Sequence, residues 1–104
     1  MKPIPSTAIF TGAAGNKLVA DVFGESGQPV LLLHGGGQTR HAWGRTAGHL
    51  ARAGAVAYTL DQRGHGDSDP AEVYGPIAAF DDLGGVIDQL GLAPLVVMGL
   101  SIGG

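Results

Sequence analysis

Two short apolar runs in this chain show no alternation: Val30-Leu31-Leu32-Leu33 and Leu95-Val96-Val97-Met98. A strand with one wet face alternates apolar and polar residues. An unbroken run instead demands cover on both faces, as in a parallel sheet between helices. A third apolar segment, Ala55-Val56-Ala57-Tyr58-Thr59-Leu60, lies between the two. The intervening stretches have helical spacing. Trp43, Ala47, Leu50 and Ala51 recur at i, i+4, i+7 and i+8, which predicts a helix ended by Gly54. Ile77, Phe80, Leu83, Ile87 and Leu90 predict a second amphipathic helix closed by Gly91. Upstream, Ala8–Thr11 and Leu18–Phe23 flank the turn residues 12–16 and predict a β-hairpin. The expected order is therefore a hairpin followed by β-α-β-α-β. That is an α/β fold with a mainly parallel sheet and right-handed crossovers.

Composition narrows the class. Apolar residues make up 44% and charged residues 14%, which excludes disorder and calls for a buried core. At 104 residues the chain forms no more than one small domain, or a piece of a larger one. Six Lys and Arg against nine Asp and Glu leave a net charge of −3, without the basic footprint that nucleic acid needs. No cysteine is present, so disulfides and thiolate metal sites are excluded and a reducing, cytoplasmic location is expected. The first five residues hold two prolines and no signal-like apolar stretch. No apolar run approaches the ~18 residues of a membrane span. Nucleic-acid and membrane partners are therefore not expected, and a small-molecule substrate is.

The chemistry-bearing residues fall in three glycine-rich segments, each directly after an expected strand. Open α/β sheets collect their binding groups at that edge. The last segment, Gly99-Leu100-Ser101-Ile102-Gly103-Gly104, contains Gly-x-Ser-x-Gly behind an apolar run. That is the layout of a nucleophile elbow, a tight strand-to-helix turn with the Ser at its tip. The first segment is His34-Gly35-Gly36-Gly37. Glycines let the backbone approach closely and aim its N–H groups at an oxyanion, where one donor is worth about 3 kcal/mol. A dinucleotide loop would need Gly at position 40, which is Arg40, and no Gly-Lys-Ser/Thr is present. In this segment His34 is expected to brace the loop through its ring nitrogens. The middle segment, Asp61-Gln62-Arg63-Gly64-His65-Gly66-Asp67-Ser68, reads either as an acid–base or metal cluster or as a structural turn. The structural turn is favoured, because nothing nearby completes a metal-ligand set. His41 and His49 read as surface or packing residues.

Together these motifs resemble the N-terminal part of an α/β-hydrolase-fold enzyme. The His34-Gly35 loop, the Asp61-x-Arg63-Gly64-x-Gly66-x-Ser68 loop and the Gly99-x-Ser101-x-Gly103 elbow recur in that family in this order, and Asp82-Leu83 is in its style. The resemblance implies Ser101 as nucleophile, with an oxyanion hole made by the N–H groups of Gly36 and Ile102. It implies no metal or organic cofactor. Family members with Ser at the elbow include esterases and lipases. Members with Asp there are dehalogenases and epoxide hydrolases.

The family's triad runs Ser, then acid, then His. After Ser101 this sequence has neither. Residues 1–104 are accordingly expected to be the leading part of a single α/β-hydrolase domain, incomplete at its C-terminus and inactive by itself. In the intact protein the expected reaction is serine-dependent hydrolysis of ester or related carbonyl bonds. A non-catalytic ligand-binding or interaction module of the same fold is the competing expectation. Substrate identity and oligomeric state are not encoded in these residues.

Overall fold

A computed structural model of the chain describes residues 5–35, 37–91 and 96–99. The elements follow the expected order: β1 (Ser6–Thr11), β2 (Lys17–Phe23), β3 (Gln28–Leu33), α1 (Gly44–Arg52), β4 (Ala55–Leu60), α2 (Pro76–Leu90) and β5 (Val96–Gly99). A 3-10 turn, Arg40–Trp43, leads into α1. The five strands form one sheet in the order β1-β2-β4-β3-β5. β3 pairs in parallel with both β4 and β5. The hairpin joins through β2, which runs antiparallel to β4 as well as to β1. The sheet is thus mixed: its three later strands are parallel, and the hairpin adds two antiparallel ladders.

The absence of alternation in β3 has a direct cause. Leu31 points to one face, where it packs with Phe10, Leu18, Ala20, Leu60 and Val86, under α2. Val30 and Leu32 point to the other, with Ala47 of α1 and Ala57. Leu31 and Leu32 are both fully buried, each worth about 1.5–3 kcal/mol on transfer from water. The two helices therefore cover opposite faces of one sheet, as right-handed crossovers on either side require.

α1 buries the expected face: Ala47 is inaccessible, and Trp43 and Leu50 pack around it. Gly54, at φ +96°, follows the helix in a conformation that other residues rarely adopt. α2 differs from the expected face at its N-terminal end. Ile77 and Phe80 are 78% and 68% exposed, while Ala78, Asp82 and Val86 are buried. Leu83, Ile87 and Leu90 do pack on the core. The buried stripe passes through Asp82, and a pattern of apolar residues alone steps around a carboxylate. Pro76 starts the helix with φ already set. Gly91, in the left-handed region at φ +61°, ends it and returns its N–H to the Ile87 carbonyl.

Candidate active site

The parallel register brings three strand ends level. Leu33 of β3 pairs with Leu60 of β4 on one side and with Gly99 of β5 on the other. The glycine loop after β3 and the polar loop after β4 therefore start side by side at the sheet's carboxyl edge, with the last residue of β5, Gly99, level with them. Gly36, Ser101 and Ile102 lie outside the described residues. The strand that feeds the Ser101 segment and most of both flanking loops lie within them.

Hydrogen bonds fix the glycine loop at both ends. His34 is buried, and its Nδ1 lies 2.6 Å from the Gly35 carbonyl oxygen. Its Nε2 accepts the Gln62 N–H at 3.0 Å, and the Gln62 side-chain amide donates to the His34 carbonyl at 2.6 Å. A nitrogen facing a carbonyl must carry the proton, and one facing an N–H must not. His34 is therefore neutral, protonated on Nδ1, and its role is the expected brace. Burial lowers its pKa, with a further lowering from His65, against raising contributions from the Gly35 carbonyl and Asp61. Within the loop, Gly35 donates its N–H to the Gln38 side chain at 3.1 Å, and Gln38 donates back to the Gly35 carbonyl. The far end is held by Arg40, whose backbone N–H reaches Asp61 Oδ1 at 2.6 Å.

Asp61 organises the second loop. It is fully buried and accepts the Arg40 backbone N–H, the Arg40 guanidinium and the Asp67 N–H. Burial opposes its charge, but these donors outweigh it and hold the carboxyl below the usual range. Arg40 also lies 3.1 Å from Asp21 and 2.9 Å from Asp67, so one buried guanidinium joins β2 to both loops. Ser68 donates to the Asp61 carbonyl at 2.6 Å and accepts the Val19 N–H at 2.9 Å. A Cβ at Gly66 would run into the Asp61 carboxylate, so only glycine fits beside it. Arg63 turns the other way and grips Asp82 of α2 with two hydrogen bonds of 2.7 and 2.6 Å. Asp82 also accepts the Ala13 N–H. Its carboxyl is held low, as burial is outweighed by Arg63, Ala13 and Asn16.

The segment Asp61–Ser68 is therefore a structural turn. Among the described residues no three His, Asp or Glu side chains are grouped to hold a metal ion. His41 and His49 are on the surface, and His49 contacts Arg52. The sequence reading missed Arg40 and Asp21. A single Arg ahead of a helix carries no pattern, and its three carboxylate partners come from two distant stretches of chain, β2 and the loop after β4. A cavity of about 190 Å³ lies beneath the carboxyl edge, lined by Leu33, Leu60, Gly99, Phe80, Leu83 and His34 among others.

A hairpin joined to parallel strands, with polar glycine loops gathered at their carboxyl ends, defines an α/β protein, and folds of this kind collect their binding groups at that edge. The family model described as the alpha/beta hydrolase fold matches residues 28–104, and the chain belongs to that family. An epoxide hydrolase from Caballeronia sordidicola is 35% identical over 77 residues, covering 71% of this chain and 23% of the relative. An esterase from Mycobacterium tuberculosis is 34% identical over 84 residues, covering 79% of this chain and 27% of the relative. The solved esterase from Exiguobacterium antarcticum superposes with a TM-score of 0.84 at 30% identity, covering 89% of this chain and 35% of that one. The chain thus spans about a quarter of the length of these curated relatives. Among the described residues no helix is long and apolar enough to cross a membrane.

Proposed function

We propose that this chain is the leading part of one α/β-hydrolase domain that cleaves esters or related carbonyl bonds through Ser101. The observation that carries the reading is the pairing of Leu33 with Gly99. Gly99, which opens the Gly-x-Ser-x-Gly motif, thereby lies beside Leu33, which leads into the glycine loop, and this supports reading the two motifs as a nucleophile and its oxyanion hole. The relatives include both an esterase and an epoxide hydrolase. In the family resemblance these two classes differ at the elbow residue, and Ser101 favours the ester class.

In the proposed reaction the Ser101 hydroxyl attacks the carbonyl carbon and gives its proton to a histidine. The N–H groups of Gly36 and Ile102 take up the charge on the carbonyl oxygen. The alcohol leaves with the proton from that histidine. Water then attacks the acyl-enzyme and releases the acid, restoring Ser101. Gly36 is favoured within its loop because the Gly35 and Gly37 N–H groups are already donated to Gln38 and His65.

The base and its orienting acid come, in this reading, from sequence beyond Gly104. His34 and His65 each have both ring nitrogens engaged, so neither offers a free acceptor. The 104-residue chain should accordingly hydrolyse a p-nitrophenyl ester at no more than the rate of its Ser101→Ala variant. The protein extended by the following coding sequence should turn over the ester in a Ser101-dependent manner, since losing a triad member costs several orders of magnitude. Ser101-dependent turnover by the 104-residue chain itself would refute the assignment of the base. Saturable binding without turnover by the extended protein would favour a binding module.

A further inference from the structure

A loop of three glycines has no side chains with which to pack. Gly37 is exposed, at φ +75°, with nothing within 4 Å of where a Cβ would stand. Such a segment keeps one conformation only if its amide groups are held. Among the described residues, one hydrogen bond runs from the interior of this loop to another element: the Gly37 N–H donates to Nε2 of His65 at 3.2 Å. The other bonds of residues 35 and 38 close on the loop itself.

His65 is prepared for this contact. Its Nδ1 lies 2.9 Å from the Arg63 carbonyl oxygen, which puts the proton there and leaves Nε2 as an acceptor. Arg63 is itself fixed by Asp82. The His65 ring rests against the His34 ring, with centroids 4.8 Å apart. The two histidines form a reciprocal fastening. His34 of the first loop accepts an N–H from Gln62 of the second, and His65 of the second accepts an N–H from Gly37 of the first.

We propose that His65 is a positioning residue, whose Nε2 holds the Gly37 peptide so that the glycine loop presents the Gly36 N–H to the reaction centre. It touches no reacting atom and acts through the loop. The role in turnover rests on the reading of Ser101 and Gly36 given above. The fastening itself does not.

Amide hydrogen exchange on the ¹⁵N-labelled 104-residue chain tests the fastening. In His65→Leu the Gly37 amide should exchange at least ~10-fold faster, while β4 amides stay unchanged. In His65→Gln, whose side-chain oxygen can replace Nε2 as acceptor, Gly37 protection should be largely retained. In the extended protein, His65→Leu should lower kcat about 10- to 100-fold with KM nearly constant, a smaller effect than loss of an oxyanion donor outright. His65→Gln should recover most of that loss. Unchanged Gly37 exchange in His65→Leu would overturn the proposal, as would an unchanged kcat. Equal acceleration at Gly37 and in β4, without rescue by Gln, would also overturn it by showing a role in overall stability alone. A Ser101→Ala variant that keeps full turnover would sink the active-site reading, while the exchange arm would still report on the fastening.

Discussion

Replacing Asp82 with Asn removes one charge and almost no volume, and the structure sets the cost. The carboxylate receives two hydrogen bonds from Arg63, one from the Ala13 N–H at 2.9 Å and a long one from Asn16 at 3.5 Å. The Arg63 and Asp82 side chains are only 7% and 5% exposed. An Asn there keeps one acceptor oxygen and turns an N–H₂ toward groups that are themselves donors. Arg63 is left buried without its counter-charge. Breaking a buried pair from one side costs about 3–5 kcal/mol, whereas an exposed pair is worth about 0–1 kcal/mol. A small domain holds about 5–15 kcal/mol in all.

Urea unfolding followed by Trp43 fluorescence measures this loss. Trp43 is the single tryptophan and packs on the α1 side of the sheet, away from the substitution, so it reports on global unfolding. The midpoint should drop by at least about 1 M with an unchanged slope. The double variant Arg63→Met with Asp82→Leu strands no charge. It should lose less, about 1–3 kcal/mol, from the partners it takes from the Ala13 N–H and the Val73 carbonyl. An Asp82→Asn protein within about 1 kcal/mol of the parent would show the pair to be solvated like a surface pair. A double variant weaker than the single would equally refute the reasoning.

Other perturbations test the same frame. Gly66→Ala should cost about 2–4 kcal/mol in urea midpoint, since it adds a collision with the Asp61 carboxylate to a left-handed φ of +51°. Gly15→Ala, at φ +79° in open space, should cost only about 1 kcal/mol, and equal losses at the two sites would show that the Asp61 contact is immaterial. Acid should weaken the fold in two stages. His34 is held below its ordinary 6.5, so its contribution is complete above about pH 6.5 and fades as the pH falls from there toward its folded value. Asp61 and Asp82 are held below 3.8, so their contributions are present above about pH 4 and are lost as the pH falls through their folded values. The urea midpoint should be level above pH 7, start to decline near 6.5 and drop steeply below about 4. A midpoint that rises between pH 7 and 5 would contradict the assignments.

The strands and both helices were legible because each depends on local spacing, and so was the order of the glycine loops. The misreading of α2 is instructive. Ile77 and Phe80 have the right spacing for a buried face, yet Asp82 takes the centre of that face because Arg63, 19 residues earlier, neutralises it. Periodicity compares neighbours on one helix and is blind to a partner on another loop. The same holds for Arg40, whose ligands Asp21, Asp61 and Asp67 are 19 to 27 residues away in sequence, and for the two histidines, whose acceptor nitrogens are filled from 28 residues away. A sequence with 14% charged residues that buries Asp21, Arg40, Asp61, Arg63 and Asp82 is using charge as an internal fastener. The reason lies in the loops themselves. Segments rich in glycine supply backbone freedom and no apolar side chains, so packing cannot hold them. Fixed dipoles at the sheet's carboxyl edge then require buried ions and neutral imidazoles to bind the loop amides. The polar residues that look most catalytic in this sequence, Asp61, Arg63, His34 and His65, are all bound to this framework.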